Sequence, residues 1–236
     1  MFDLHSHVLP YIDDGAKDME TSLAMLKMAK EQGVNTVVAT PHCVAKDSMA
    51  VDVFAEKRRE SYEKLLLEIK NKSDYPEILL GSEVYLCGDI SEFENLSSLC
   101  YQNTNYILLE MTEDIEPSQT VEWIYNISVK GYRPVIAHVD RYSFYAQIMR
   151  ELSHVDVVYQ INSSRFLTMT DRRHLKNVFK YHNRFLASSD MHNLTSRVCN
   201  MAPARKIAQK KFSTMCPMLF EEGAEAILNN RAFPEY

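Results

Sequence analysis

Asp3-Leu4-His5-Ser6-His7 lies in the first apolar run of the chain, and its reading decides the rest. In an extended strand, successive side chains alternate between faces, so His5 and His7 present two imidazoles on the same side. Ala137-His138-Val139-Asp140-Arg141 and Ser189-Asp190-Met191-His192-Asn193 repeat the device, each placing hard ligands just past a short apolar run. Asp190 and His192 pair a carboxylate with an imidazole as His5 and His7 pair two imidazoles. A chain that does this at several strand ends is expected to build one polynuclear metal site. Clustered metals serve phosphate or amide hydrolysis.

Working outward, strand-like runs at 1–4, 36–40, 77–84, 106–111, 134–138, 155–161 and 185–188 alternate with helix-like stretches. The stretches lie at 20–32, 53–70, 117–129, 144–151, 171–181, 204–211 and 223–230. Gly33 stops the first as a C′ glycine. Strand then helix, repeated about seven times, predicts a parallel sheet covered by helices. No linker, repeat or low-complexity tract interrupts the pattern, and one domain over 1–236 is expected. Every motif falls at or just past the C-terminal end of a predicted strand. That favours a closed or nearly closed α/β barrel, whose strand ends converge on one face. The alternative is an open doubly wound sheet, which must gather the ligands at one switch point.

Composition narrows the class. Hydrophobic residues make up 46% and charged residues 25%, ordinary for a soluble globular protein. A net charge of −6 argues against nucleic acid as the main partner, since no broad basic surface is expected, though a local basic pocket stays open. No apolar run approaches the roughly 18 residues that span a bilayer, so no integral membrane protein is expected. No signal peptide is expected before the first motif. Cys43, Cys87, Cys100, Cys199 and Cys216 form no CxxC pair. Free thiols in a reducing cytoplasm are the expectation.

The candidate ligands follow from the strand ends. They are His5 and His7, a carboxylate from Asp13-Asp14-Gly15, His42 after Thr40-Pro41, Glu83, Glu110, His138, Asp190 and His192. Imidazole and carboxylate without thiolate suit Mn, Fe or Zn. Singly, each has a plainer reading: a hydrogen-bonded structural histidine, a carboxylate paired with Arg or Lys, a turn at Asp13-Asp14-Gly15. Together they do not, because five of eight histidines sit at strand ends interleaved with acids. An ionised Glu in an apolar barrel mouth needs a cation. His154, His174 and His182 read as surface residues.

Arg141 and Arg197 lie shortly after two of the motifs, and their guanidinium forks match phosphate oxygens. Asp140 is a possible proton donor to a leaving group. Tyr11, Tyr142, Phe144 and Tyr145 are available to wall a cleft. Cys199-x5-Arg205 has the bare spacing of cysteine-dependent tyrosine phosphatases. Its insert, Asn200-Met201-Ala202-Pro203-Ala204, has no glycine to wrap a phosphate with backbone N–H groups, so that mechanism is rejected.

The joined motifs resemble the PHP (polymerase and histidinol phosphatase) superfamily: H-x-H, a lone His, a Glu, another His and a closing D-x-H. Within it, Asp3-x-His5-Ser6-His7, Asp13-Asp14-Gly15, the stretch from Pro134 to Tyr142 and the stretch from Ala187 to Leu194 resemble bacterial manganese-dependent protein-tyrosine phosphatases of capsule and exopolysaccharide loci. The resemblance runs from Phe2 to about Leu228. Asp14 and Glu110 match that branch, where many PHP members carry histidine. One departure is Thr195-Ser196-Arg197-Val198, which keeps the arginine but lacks the expected Gly-Arg-Pro.

The resemblance implies a distorted (β/α)7-type barrel with its metal site at the C-terminal ends of the strands. It implies two or three Mn2+ ions, with Fe, Zn or Mg as possible occupants. The ligand sets would be His5, His7, Glu83 and Asp190; Glu83, Glu110 and His138; and Asp14, His42 and His192. The implied partner is a phosphotyrosine protein, a tyrosine autokinase of capsule synthesis. Two alternatives stand beside it: a small-molecule phosphatase such as one acting on histidinol phosphate, and a metal-binding regulatory pseudoenzyme.

Overall fold

The structure, a computed structural model, describes residues 1–69 and 71–234, the side chain of Lys72 excepted. Nine strands follow in order: β1 (Phe2–Ser6), β2 (Thr36–Ala39), β3 (His42–Val44), β4 (Glu77–Leu80), β5 (Glu83–Tyr85), β6 (Tyr106–Glu110), β7 (Arg133–Ile136), β8 (Val158–Asn162) and β9 (Phe185–Ser188). They form two sheets, β1-β2-β4 and β3-β5-β6-β7-β8-β9, and every pair is parallel. The helices are α1 (Met19–Glu31), α2 (Ser48–Glu68), α3 (Pro117–Val129), α4 (Tyr145–Glu151), α5 (Met169–Val178), α6 (Met201–Lys211) and α7 (Gly223–Leu228). The chain is therefore an α/β protein of parallel sheets and covering helices.

One expected strand is broken in two, and another is followed by a short strand that was not expected. The run 36–40 ends at Ala39 and resumes beyond Pro41 as β3, in the other sheet. Proline has no N–H to give the ladder, which explains the interruption. The run 77–84 breaks at Gly81-Ser82. A Cβ on Gly81 would lie 2.8 Å from the Tyr101 ring and 3.0 Å from Val38, so only glycine fits. The pieces stay bonded across the breaks: Thr40 N donates to Ser6 O at 2.8 Å, Gly81 N to Ala39 O at 2.9 Å and Glu83 N to Pro41 O at 3.1 Å. Past its end, β9 also meets β1, through Asp190 N to His5 O at 2.8 Å and His7 N to Met191 O at 2.9 Å.

The run 155–161 shifts to Val158–Asn162, because Val157 N closes a tight turn onto Val155 O. Helix ends moved too. α2 starts earlier than residue 53, since Asp47 caps it by accepting from Ala50 N at 2.7 Å. Lys70, at its expected end, lies outside the described residues. Gly33 adopts φ 78° after α1, as a C′ glycine should.

Strands buried on both faces give two cores. Leu4, Val38, Leu108, Val135, Val158 and Leu186 pack on one face; Val37, Ile107, Leu109, Ile136, Tyr159 and Phe185 meet the helices on the other. The C-terminal segment covers the N-terminal ends of β6 and β7: Tyr106 Oη donates to Arg231 O at 2.7 Å and Arg133 Nη1 to Asn230 O at 3.2 Å. The opposite ends, where the motifs lie, are left open for a site.

Candidate metal centre

Glu83 begins β5 directly after the Gly81-Ser82 break, and its side chain is only 1% exposed. Four imidazoles surround it. His5 Nε2, His7 Nε2 and His42 Nδ1 each lie 3.1 Å from Oε2, and His138 Nε2 lies 2.9 Å from Oε1. Yet Oε2 accepts no hydrogen bond of acceptable angle, and neither does the buried His192 Nε2 have a partner. At Oε2 the distances are those of hydrogen bonds and the directions are not, whereas His138 Nε2 is aligned on Oε1. Lone pairs that converge on shared points, rather than on one another's protons, fit a cation between them.

The other expected ligands close around this core. Asp190 Oδ1 lies 3.5 Å from His5 Nε2 and 3.6 Å from His7 Nε2. Glu110 reaches His138 Nε2 at 3.5 Å and His42 Nδ1 at 3.7 Å. Asp14 reaches His42 Nε2 at 3.4 Å and His192 Nε2 at 3.5 Å. Three groups have donor atoms all within 4.8 Å of one another: His5, His7, Glu83 and Asp190; His42, Glu83 and Glu110; His7, Asp14, His42 and His192. All nine expected ligands are thus brought together. The groups overlap more than the expected division, since His42 reaches the second and His7 the third.

Outer partners orient the rings, which sequence reasoning largely missed. Asp13 Oδ2 takes His7 Nδ1 at 2.7 Å and also accepts from His42 N at 2.9 Å. Gln160 Oε1 takes His5 Nδ1 at 3.1 Å and accepts from His138 N at 2.6 Å. Asn162 Nδ2 donates to Asp190 Oδ2 at 2.7 Å. Engaging Nδ1 of His5 and His7 leaves each Nε2 turned inward, the usual arrangement behind metal ligands. A signal did exist: Gln160 and Asn162 are polar at period 2 in an otherwise apolar strand. The turns that aim the ligands are strained, with φ 31° at His138 and φ 53° at Asp190. Left-handed backbone at non-glycine residues costs roughly 1–3 kcal/mol and clusters at functional sites.

The electrostatics are those of packed opposite charges without metal. Burial would raise the Glu83 carboxyl, but His5, His138 and His7 hold it well below the ordinary range. Asp190 is likewise held low against burial by His5, His7 and Arg141. Burial would lower His7, yet Asp13 and Glu83 raise it to about 10. His192 stacks on His7 with ring centroids 3.7 Å apart and is pushed down to about 3, by burial and then by the charge on His7. One ring of the stacked pair carries the extra proton, and the other, with Nδ1 on Asp190 O, keeps its Nε2 lone pair free.

The arginines meet at one carboxylate. Arg141 Nη2 lies 2.7 Å from Asp190 Oδ2, and Arg197 Nη2 lies 2.8 Å from Oδ1. Both side chains are little more than one-third exposed, at the rim. Three other expectations change. Asp140 is buried and its carboxylate is committed to Arg165 Nε at 2.7 Å. Tyr142 is buried, its hydroxyl accepting from Met111 N at 3.0 Å and standing 3.4 Å from His138 Nδ1, so it supports a ligand rather than walling a cleft. His174 is half-buried, with Nε2 on Asp140 O at 3.1 Å, and not a surface residue. Cys199 is buried, its thiol pushed up to about 12 by desolvation, and Arg205 pairs with Glu221 at 2.5 Å. Cys199 therefore offers no thiolate nucleophile.

Comparison with known proteins agrees with this geometry. A family profile described as capsular polysaccharide synthesis, CpsB/CapC, matches residues 1–229. Tyrosine-protein phosphatase YwqE of Bacillus subtilis is 30% identical over 98% of this chain and 92% of its own. Tyrosine-protein phosphatase CpsB of Streptococcus pneumoniae is 31% identical over 90% of this chain and 91% of its own. A solved structure from a study of these two, called there unique metal-dependent tyrosine phosphatases, superposes with a TM-score of 0.84 at 26% identity. It covers 100% of this chain and 97% of that one.

Proposed function

The chain belongs to the CpsB/CapC family of capsular polysaccharide synthesis proteins, and we propose that it is a metal-dependent protein-tyrosine phosphatase. Its substrate would be a tyrosine autokinase that controls capsule or exopolysaccharide synthesis in the cytoplasm. The observation that carries this reading is Glu83: a buried carboxylate with three imidazole nitrogens at 3.1 Å from one oxygen and no aligned hydrogen bond there. Removing such a charge from water costs several kcal/mol per ion unless cations compensate. The all-N/O donor set fits two or three Mn2+ ions. We assign them His5, His7, Asp14, His42, Glu83, Glu110, His138, Asp190 and His192. Residues 1–236 act as one domain, and the two sheets, bonded across both breaks and between β9 and β1, are taken as a distorted seven-unit barrel.

Metal ions, when bound, would clamp a phosphoryl group and lower the pKa of an attacking water. The chain's own contribution is positional. Asp13 and Gln160 fix the tautomers of His7 and His5. Arg141 and Arg197, now on Asp190, are placed to turn their free N–H groups onto phosphoryl oxygens as charge develops. A phenolate leaves with a pKa near 10, so it needs less acid help than an alkoxide. That suits a centre whose Asp140 is committed to Arg165.

Chelation tests the reading. EDTA-stripped protein should lose hydrolysis of a phosphotyrosine peptide, and Mn2+ should restore it best, with histidinol phosphate a poor substrate. Full turnover after exhaustive chelation, or a preference for histidinol phosphate, would overturn it.

A further inference from the structure

The charge of −6 hides a strong polarity along the chain. From Arg172 to Phe220 there are ten Lys and Arg against one acid, Asp190, which belongs to the metal centre. The remaining 187 residues hold 16 Lys and Arg against 31 Asp and Glu. Such asymmetry points to an anionic partner for one side of the molecule.

The fold gathers that charge on one flank. α5 and α6 both pack on the one-turn helix at Ser163–Phe166, and Phe212, just after α6, meets Phe179, just after α5, edge-on at 5.4 Å and Phe166 at 5.8 Å. Arg173, Lys176 and Lys180 on or just after α5 and Lys211 at the end of α6 are exposed here, and Lys206 and Lys210, also exposed, lie farther round α6 beside Met1, Gln32 and Glu221. Among the described residues none of these six has a carboxylate within ion-pair distance. Between the helices is a hollow of about 200 Å³ lined by Arg172, Arg173, Lys176 and Lys211 with Met169 and Phe212. Met169, 69% exposed, falls at spacings of four, three and four with Arg173, Lys176 and Lys180, on one helical stripe.

We propose that the α5–α6 flank binds the surface of an anionic lipid bilayer. The cations are spread over two helices on exposed stems, five of the six being lysines, which act as point charges rather than forks. No buried donor cradles a single phosphate. That arrangement suits a plane of many headgroups better than one phosphorylated side chain. Nucleic acid fits poorly, because the flank offers no free aromatic face for stacking: Tyr181 is taken up by Tyr145 and Arg150. Met169 adds the apolar tip that peripheral surfaces insert among headgroups.

Vesicle flotation of the full chain tests this. Binding is expected to vesicles of phosphatidylglycerol and phosphatidylcholine, to be absent with phosphatidylcholine alone, and to fall steeply between about 0.1 M and about 0.5 M salt. Each basic residue near an anionic leaflet strengthens binding by about fivefold. The combined variant R173E, K176E, K210E and K211E should therefore bind at least about a hundredfold more weakly. Its turnover of a small aryl phosphate should match the parent, which shows it is folded. Equal binding to neutral vesicles, insensitivity to salt, or undiminished binding by the active variant would overturn the proposal. So would absence of vesicle binding by a chain that instead binds a phosphotyrosine peptide or DNA through these residues.

Discussion

Ser82 and Glu83 are adjacent in sequence, yet the buried charges that meet there are handled in opposite ways. The Arg58 guanidinium, on α2, is buried and donates to Gly81 O at 2.7 Å, Ser82 Oγ at 2.5 Å and Ser98 O at 2.7 Å. Neutral oxygens with good geometry satisfy most of it, and Phe54 lies 5.5 Å from it. Burial lowers Arg58 to about 10, still charged at neutrality. Glu83 is met by groups that themselves titrate, and its Oε2 is left without an aligned donor. A buried charge answered by fixed dipoles holds structure together. One answered by titrating imidazoles, with an oxygen left over, is waiting for a cation. Arg58 also pins the break at Gly81-Ser82 that delivers Glu83 to the centre.

That contrast can be broken by substitution. Glu83→Gln keeps the shape and removes the charge. Turnover should fall by at least ~10³ because the shared ligand is lost, and the thermal midpoint of metal-free protein should fall as well, because the imidazoles that hold Glu83 ionised lose their counter-charge. Turnover within tenfold of the parent would contradict the assignment. Arg141→Ala and Arg197→Ala should each cost roughly 2–4 kcal/mol in kcat/KM on every phosphoester, with metal content unchanged and Lys a poor rescue. Loss of metal in step with activity would instead make them supports of Asp190.

On the structural side, Arg58→Met should show chiefly in urea unfolding. It leaves the carbonyls of Gly81 and Ser98 unpaired, for a loss of about 2–3 kcal/mol. A stability unchanged by this substitution would mean that the break holds without its clamp.

Protonation sharpens the comparison further. His7 is raised from 6.5 to about 10 in the metal-free protein, so it folds protonated at neutrality. Its contribution to metal-free stability is full below pH 6.5 and is lost as pH rises through about 10. A cation must displace that proton, so Mn2+ should bind more tightly as pH rises towards 10, with proton release seen by calorimetry in buffers of different ionisation enthalpy. Affinity independent of pH would contradict this. The smallest effect expected is that of Cys199→Ser, whose turnover should equal the parent's, since the buried thiol is pushed up to about 12.

Much of the centre is legible in the sequence because its ligands follow period-2 strands and stand at their ends. Asp14, Glu83, Glu110 and the five histidines all lie within one cluster of the structure. The breaks at Pro41 and Gly81 were less legible. Pro41 and Gly81 mark both places, but only the packing of Tyr101 and Val38 against Gly81 shows why the strand must turn there. Asp140 and Tyr142 sit beside a motif, but Asp140 pairs with Arg165, and the Tyr142 hydroxyl meets Met111 N and His138 Nδ1, partners far away in sequence or hidden by the turn. The basic flank was hidden by the net charge, which sums over faces that never meet.

The most direct test counts metal and turnover together. Stripped protein is titrated with Mn2+ while bound ions and phosphate release from a phosphotyrosine peptide are measured in the same samples, for the parent and for Glu83→Gln. The account predicts activity that appears only as two or three ions bind per chain, and a variant that binds fewer and stays inactive. Activity before any metal binds, or a Glu83→Gln protein that binds and works like its parent, would contradict it.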